Sequence, residues 1–350
     1  MRRFLSRIKQ KIIEAWKSQI SVSKLLLING RIPRIIHRHS DGSTITIADI
    51  GPVDLLGWIK PGPSHAFAFV DRRQRFVRLS GTDYGIDTLF EGALTPTNQN
   101  GESGAWILDH WFGNYYHWVV FCLPKAITLI EAGYGDRILL PKPMPSPGFS
   151  LVSLQLLGLE IESLPIADVG RTHYQSMHVV EGAAATAGGL EKVRSHMHAA
   201  CNALAFSNDR SVPVAFITRR VVNNPRVLSN ENDTLSICRD FGIQIIDTAG
   251  IPFIDQVRMF AGMKAIIGVH GAGLTNMTWM QAGGFAVEIT PPPNGSTCYR
   301  ELADKLGHHY IQICTFTNQS QAGEDSTLIT IDPADFRNEI AAVLTRLRIK

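Results

Sequence analysis

"IIGVHGAGLTNMTWM", residues 266–280, joins a β-branched run to a helical one through a turn of small residues. The strand-like run closes at Gly268, His270 stands between Val269 and Gly271, and Ala272 and Gly273 lead into a helix beginning near Leu274. Amides at a helix N-terminus, together with the helix dipole, favour an anion. Glycine lets a ligand approach the backbone where a Cβ would block it. A bare turn holding one imidazole therefore reads as a resting place for phosphate. The same glycines would also serve tight packing alone, and the surrounding sequence must decide.

Around that turn the pattern repeats. Strand "VAFITRR", a helix near "NENDTLSICRDFG", strand "IQIIDT", helix "FIDQVRMFAGM", strand "KAIIGV", helix "LTNMTWMQAG" and strand "GFAVEIT" follow one another. Strands alternating with helices predict a doubly wound parallel domain over residues 209–330, in which ligands sit outside the carboxyl ends of the strands. That rule gathers Arg219 and Arg220 at the end of the first strand, His270 and Gly271 at the end of the third, and Glu288 in the fourth. Arginines supply charge-assisted bonds to phosphate oxygens. Ala272, Gly273, Leu274 and Thr275 supply the helix opening, and Glu288 is a candidate acceptor for ribose hydroxyls. The set predicts a nucleoside diphosphate site. "GVHGAG" also fits a GxxGxG dinucleotide pattern, so a nicotinamide oxidoreductase competes; against it, that fingerprint usually follows the first strand of its domain and here two precede it.

The remainder reads as two further textures. Residues 25–90 are β-rich, with "KLLLING", "STITIADI" and "HAFAFVDRRQRFVRLS" separated by Gly and Pro. From about residue 106, helix "YYHWVVFCLPKAITLIEAGY", strand "DRILLP", helix "FSLVSLQLLGL" and strand "MHVVEG" alternate, and a long helix over 190–208 runs into the polar hinge "SNDRSVP". The predicted division is a basic amphipathic segment 1–24, an N-terminal domain 25–208, a doubly wound C-terminal domain 209–330 and a C-terminal helix 331–350.

Composition narrows the class. The 350 residues are 45% hydrophobic and 19% charged, as in a globular chain long enough for two domains. A formal charge of +3 makes no case for nucleic acid. Cys122, Cys201, Cys238, Cys298 and Cys314 form no CxxC pair and read as reduced thiols of a cytoplasmic protein. The longest apolar stretch, "WVVFCLPKAITLIEAG", is broken by Pro124 and Lys125, well short of the ~20 residues a span requires. At the start, Arg2, Arg3, Arg7, Lys9, Lys11 and Lys17 alternate with Phe4, Leu5, Ile8, Ile12, Ile13 and Trp16. That segment lacks the apolar core of a secretory signal. It suits either peripheral contact of residues 1–20 with the inner membrane face or packing on its own domain.

Three stretches taken together resemble glycosyltransferase family 61, of the bacterial capsular or surface polysaccharide type: "NYYHWVVFCLPK" (114–125), "FITRRVVNNPRVLSNENDTL" (216–235) and "IPFIDQVRMFAGMKAIIGVHGAGLTNMTWMQAGGFAVEITPP" (251–292). The resemblance implies an α/β protein with two Rossmann-like domains facing a cleft, the GT-B type, the N-terminal one carrying the extra β-rich segment. It makes 25–208 the acceptor-side domain and 209–330 the nucleotide-sugar-binding one. It implies an inverting, metal-independent transferase with no cofactor, moving a sugar from a nucleotide-sugar donor to a glycan or lipid-linked acceptor. The absence of a DxD sequence agrees with metal independence. By the same resemblance Arg219 or Arg220 neutralises the pyrophosphate, and Arg226, Asn230 and Glu231 fix the arginine-bearing loop or line the donor site. His270 and the amides after Gly271 close around the leaving diphosphate.

An inverting transfer also needs a base beside the acceptor hydroxyl, expected from the opposite domain. "LDHWFGNYYHW" offers Asp109, His110 and His117, of which His117 is the first choice and Asp109 the second. Relatives often carry an acid four residues after this histidine, where Phe121 stands here. A non-catalytic carbohydrate- or nucleotide-binding protein of a polysaccharide assembly is the alternative function.

Overall fold

A computed structural model describes residues 34–38, 44–59, 65–71, 76–77, 97–109, 111–144, 146–167, 170–181, 185–202, 212–218, 228–290, 296–314, 316–317 and 329–349. The basic segment 1–24 lies outside them. The chain is mixed α/β and divides into two compact units: Met1–Gly113, Val120–Pro147 and Gly158–Ala184 form one, and Asn114–Val119, Gly148–Leu157 and Ala185–Lys350 the other.

In the first unit the strand Gly170–Glu181 organises a seven-stranded sheet. It pairs antiparallel with Thr44–Asp49 and Val53–Ile59, and parallel with Thr97–Trp106. Alternating residues fill one face, as strand periodicity requires: Ile45 and Ile47, then Val53 and Leu55, are buried. Phe67 and Phe69 meet Trp106 edge-on, with centroids 5.2 and 5.1 Å apart. Asp49 ties two strands by accepting from Ser176 Oγ at 2.6 Å and from the Met177 amide at 2.9 Å. A parallel extension follows, because Ala105 bridges Ile138 and Leu140–Pro141 runs parallel to Ile166–Ala167. The unit therefore joins a short parallel run to a larger antiparallel sheet, and only the second unit is doubly wound throughout its main sheet.

The second unit carries five parallel strands in the order Gln244–Ile246, Val214–Ile217, Ala265–Val269, Phe285–Thr290, His309–Cys314. Their β-branched runs are buried because helices cover both faces. The C-terminal helix Pro333–Arg346 begins at Asp332, whose carboxylate accepts from the Ala334 and Asp335 amides at 2.8 and 3.0 Å. It sends Phe336, Ile340 and Val343 into the core that holds Phe216, Ile267 and Val287.

Two local differences from the sequence reading stand out. The helix Ala187–Cys201, predicted before a boundary at 208/209, belongs to the second unit. Arg194 Nη1 donates to the Met280 carbonyl at 2.9 Å, and His198 Nε2 donates to that of Trp279 at 2.8 Å. The helix after the glycine turn is a 3-10 helix, Ala272–Trp279, eight residues long where three or four are usual. Its last carbonyls are met by side chains: His308 Nε2 donates to Met277 O at 3.0 Å, alongside the Arg194 and His198 bonds. Those partners satisfy acceptors that the end of a helix leaves open. Among the described residues no helix is long and apolar enough to cross a membrane. All five cysteines are free, and Cys122, Cys201 and Cys238 are buried.

Candidate functional site

The parallel strands, numbered by sequence within the second unit, run 2-1-3-4-5 across the sheet. In a doubly wound sheet of that order the connections reverse direction between strands 1 and 3, opening a crevice at their carboxyl ends. Here those ends are Thr218 and His270. Arg219, Arg220 and Arg226 lie outside the described residues, but their frame is visible. Glu231, opening the helix Glu231–Asp240, accepts from Thr218 Oγ1 at 2.6 Å. Asn230 donates to Ile331 O at 2.8 Å through Nδ2 and accepts from Ile331 N at 3.3 Å through Oδ1. Glu231 thus ties Thr218 to the start of its helix, and Asn230 ties that start to Ile331.

Across the crevice, the His270 amide donates to Ile289 O at 3.0 Å. Its Nδ1–H donates to Glu288 Oε1, and Tyr310 donates its hydroxyl to Glu288 Oε2 at 2.5 Å. Glu288 is only 2% exposed. The expectation that Glu288 accepts from ribose hydroxyls is corrected by this geometry: the carboxylate is buried in the sheet and holds the imidazole. The glycines divide in function too. A Cβ on Gly273 would stand 2.8 Å from Ile217 Cγ2, and one on Gly268 3.3 Å from Ile217 Cβ, so these two let the turn pack on the neighbouring strand. Gly271 caps the 3-10 helix, with Leu274 N donating to its carbonyl at 2.9 Å. Leu274 and Thr275 bury their side chains, while Ala272 and Gly273 are half-buried.

The segment Asn114–Val119 belongs to this same unit, so His117 does not come from the opposite one as predicted. Asn114 caps its turn by accepting from Tyr116 N at 2.9 Å. The Tyr116 ring meets His117 at 5.6 Å and Tyr299 at 5.4 Å, and Tyr299 meets His270 at 5.1 Å, each edge-on. A π turn over Trp118–Cys122 follows directly. Burial raises the Tyr115, Tyr116, Tyr299 and Tyr310 phenols well above their ordinary range, so all four stay protonated donors near neutral pH. Asp109 sits in the first unit, where Oδ1 accepts from Trp111 N at 2.8 Å and caps a turn. His110 lies outside the described residues.

Four contributors escaped the sequence reading: Tyr299, Tyr310, and the pair Gln256 and Asn276, in which Asn276 Nδ2 donates to Gln256 Oε1 at 3.0 Å and to Gly273 O at 3.2 Å. A tyrosine on a helix or an edge strand carries no motif, but an asparagine between Leu274 and Met277 in the run "LTNMTWM" was a readable sign of a polar hub. No group of three or more metal-ligating side chains gathers among the described residues.

No curated protein matches the chain. The family model described as Glycosyltransferase 61 matches residues 115–287, from Tyr115 through the arginine-bearing stretch and the glycine turn to the strand of Glu288. The tyrosine–histidine segment and the crevice it borders thus fall within one matched region: the chain carries a glycosyltransferase family 61 domain, and that domain makes it a glycosyltransferase.

Proposed function

We propose that the protein is an inverting, metal-independent transferase that takes a sugar from a nucleotide-sugar donor and passes it to a glycan or lipid-linked acceptor in bacterial surface polysaccharide synthesis. The observation that carries the donor site is the 2-1-3-4-5 strand order, whose reversal point coincides with the end of the arginine-bearing strand and with the His270–Gly271 turn. In this reading the amides after Gly271 and one of Arg219 or Arg220 receive the diphosphate. The GT-B assignment belongs to the same proposal and draws on the family resemblance together with the doubly wound second unit.

The chemistry is a single displacement. The acceptor oxygen bonds to the anomeric carbon as the bond from that carbon to the phosphate oxygen breaks. The acceptor proton passes to a base, for which His117 is proposed, and the electron pair leaves with the diphosphate. Cationic and amide donors fixed around the leaving group stabilise charge that grows in the transition state. Cytoplasmic placement and contact of residues 1–20 with an anionic membrane face are part of the proposal, supported by the alternation of basic and apolar residues there.

Isothermal titration with nucleoside diphosphates tests the donor site. Binding to the full chain that is lost in Gly271→Val, with the thermal midpoint retained, is the expected result. Equal affinity in the variant removes the turn from the site.

A further inference from the structure

We infer that Tyr310 is a positioning residue for His270, acting through Glu288; this rests on the proposed donor site at the glycine turn. The register of the parallel strands carries the argument. Tyr310 lies opposite Ala286, Glu288 lies opposite Gly268, and His270 stands two residues beyond Gly268. Side chains two residues apart on a strand share a face. Tyr310, Glu288 and His270 therefore form a diagonal row across three adjacent strands, running from the edge strand to the crevice and advancing two residues at each step.

Glu288 is buried, and a buried carboxylate must be met by donors on both oxygens. His270 Nδ1–H meets one and the Tyr310 hydroxyl the other. The tyrosine is a dependable donor, because burial and the adjacent carboxylate both oppose its ionisation. Arg300 lies 5.1 Å over its ring. With Oε2 held by Tyr310, the carboxylate plane is fixed and Oε1 is presented to His270. That bond selects the neutral tautomer carrying its proton on Nδ1, so Nε2 is the ring's second functional nitrogen. Without the hydroxyl, the carboxylate gains a rotational freedom that the imidazole inherits.

The test is a long-range proton–nitrogen correlation spectrum of the ¹⁵N-histidine-labelled protein, recorded where the ring is neutral, with His270 assigned by its absence in His270→Ala. The expected spectrum shows His270 protonated on Nδ1 in the wild type and a mixture of tautomers in Tyr310→Phe. A single unchanged Nδ1–H tautomer in Tyr310→Phe overturns the inference. As a second readout, nucleoside diphosphate affinity should fall roughly 3–30-fold in Tyr310→Phe, with no further loss when the change is added to His270→Ala. Additive losses also overturn it. Should His270→Ala leave nucleotide affinity untouched, the donor-site reading fails, and the tautomer spectrum still decides the role of Tyr310.

Discussion

Tyr115 donates its hydroxyl to Asn276 Oδ1 at 2.9 Å, joining residues 161 positions apart within the second unit. The amide is fully buried and fully engaged: Trp279 Nε1 also donates to Oδ1 at 3.1 Å, while Nδ2 donates to Gln256 Oε1 at 3.0 Å and to Gly273 O at 3.2 Å. This one side chain holds the tyrosine segment, the glycine turn and the helix Phe253–Ala261 in register. Truncating such a hub leaves several buried groups unsatisfied, whereas removing one contributing hydroxyl does not. Asn276→Ala should therefore cost about 3 kcal/mol or more and Tyr115→Phe about 1 kcal/mol, read from urea midpoints at constant slope. Similar small losses in both would show that the network contributes little.

Packing constrains Gly273. Its missing Cβ would meet Ile217 Cγ2 at 2.8 Å, so Gly273→Ala must displace either the turn or the strand end. A destabilisation of about 1–3 kcal/mol is expected, typical of overpacking. Ile217→Ala removes the opposing methyl, and the double variant should lose less than the sum of the single losses. Strict additivity in the double-mutant cycle would mean that the two sites do not touch in solution.

What was legible in the sequence follows from what is local. The strands at residues 214–217, 265–269 and 285–290 announce themselves by β-branched apolar runs, and the rule placing ligands at strand ends singled out His270 and Gly271 without any coordinates. Glu288 was found but misread, because its role depends on the register that sets Ala286 against Tyr310, a non-local fact. The helix Ala187–Cys201 was assigned to the wrong side for a similar reason. A polar stretch after it looked like a boundary, while the bonds from Arg194 and His198 to Met280 and Trp279 span more than eighty residues. The 3-10 form of Ala272–Trp279 was not legible either, since its own sequence reads as ordinary helix.

His308 makes stability depend on pH. It is 5% exposed, its Nε2 donates to Met277 O, and burial pushes its pKa down to about 4 from 6.5. Between those values the unfolded chain binds the proton and the folded one does not, so stability is complete above about pH 6.5 and is lost as pH falls toward 4. His198, lowered by burial as well, adds to the loss in the same direction. The His308 share is on the order of 3 kcal/mol. His308→Gln keeps a donor for Met277 O without a titrating ring, and its urea midpoint should fall less between pH 7 and about pH 4.5 than that of the wild type. An equal fall assigns the acid sensitivity to other groups.

The proposed base is the sharpest remaining choice. His117 stands in the second unit on a ring contact with Tyr116, and Asp109 stands in the first with its carboxylate capping a turn at Trp111. If His117 takes the acceptor proton, His117→Ala should lower turnover by roughly 10²–10⁴-fold, the usual worth of a positioned base. Nucleotide affinity should stay within a few-fold, because the lost interaction is made only as the acceptor reacts. Asp109→Asn preserves an oxygen for the Trp111 amide, so the turn survives and turnover should remain near that of the wild type. Both variants are compared by single-turnover transfer at saturating donor, with nucleotide affinity measured separately by calorimetry. Loss of turnover in Asp109→Asn with retention in His117→Ala would make Asp109 the base and His117 a packing residue on Tyr116. Retention in both would move the chemistry away from this segment altogether.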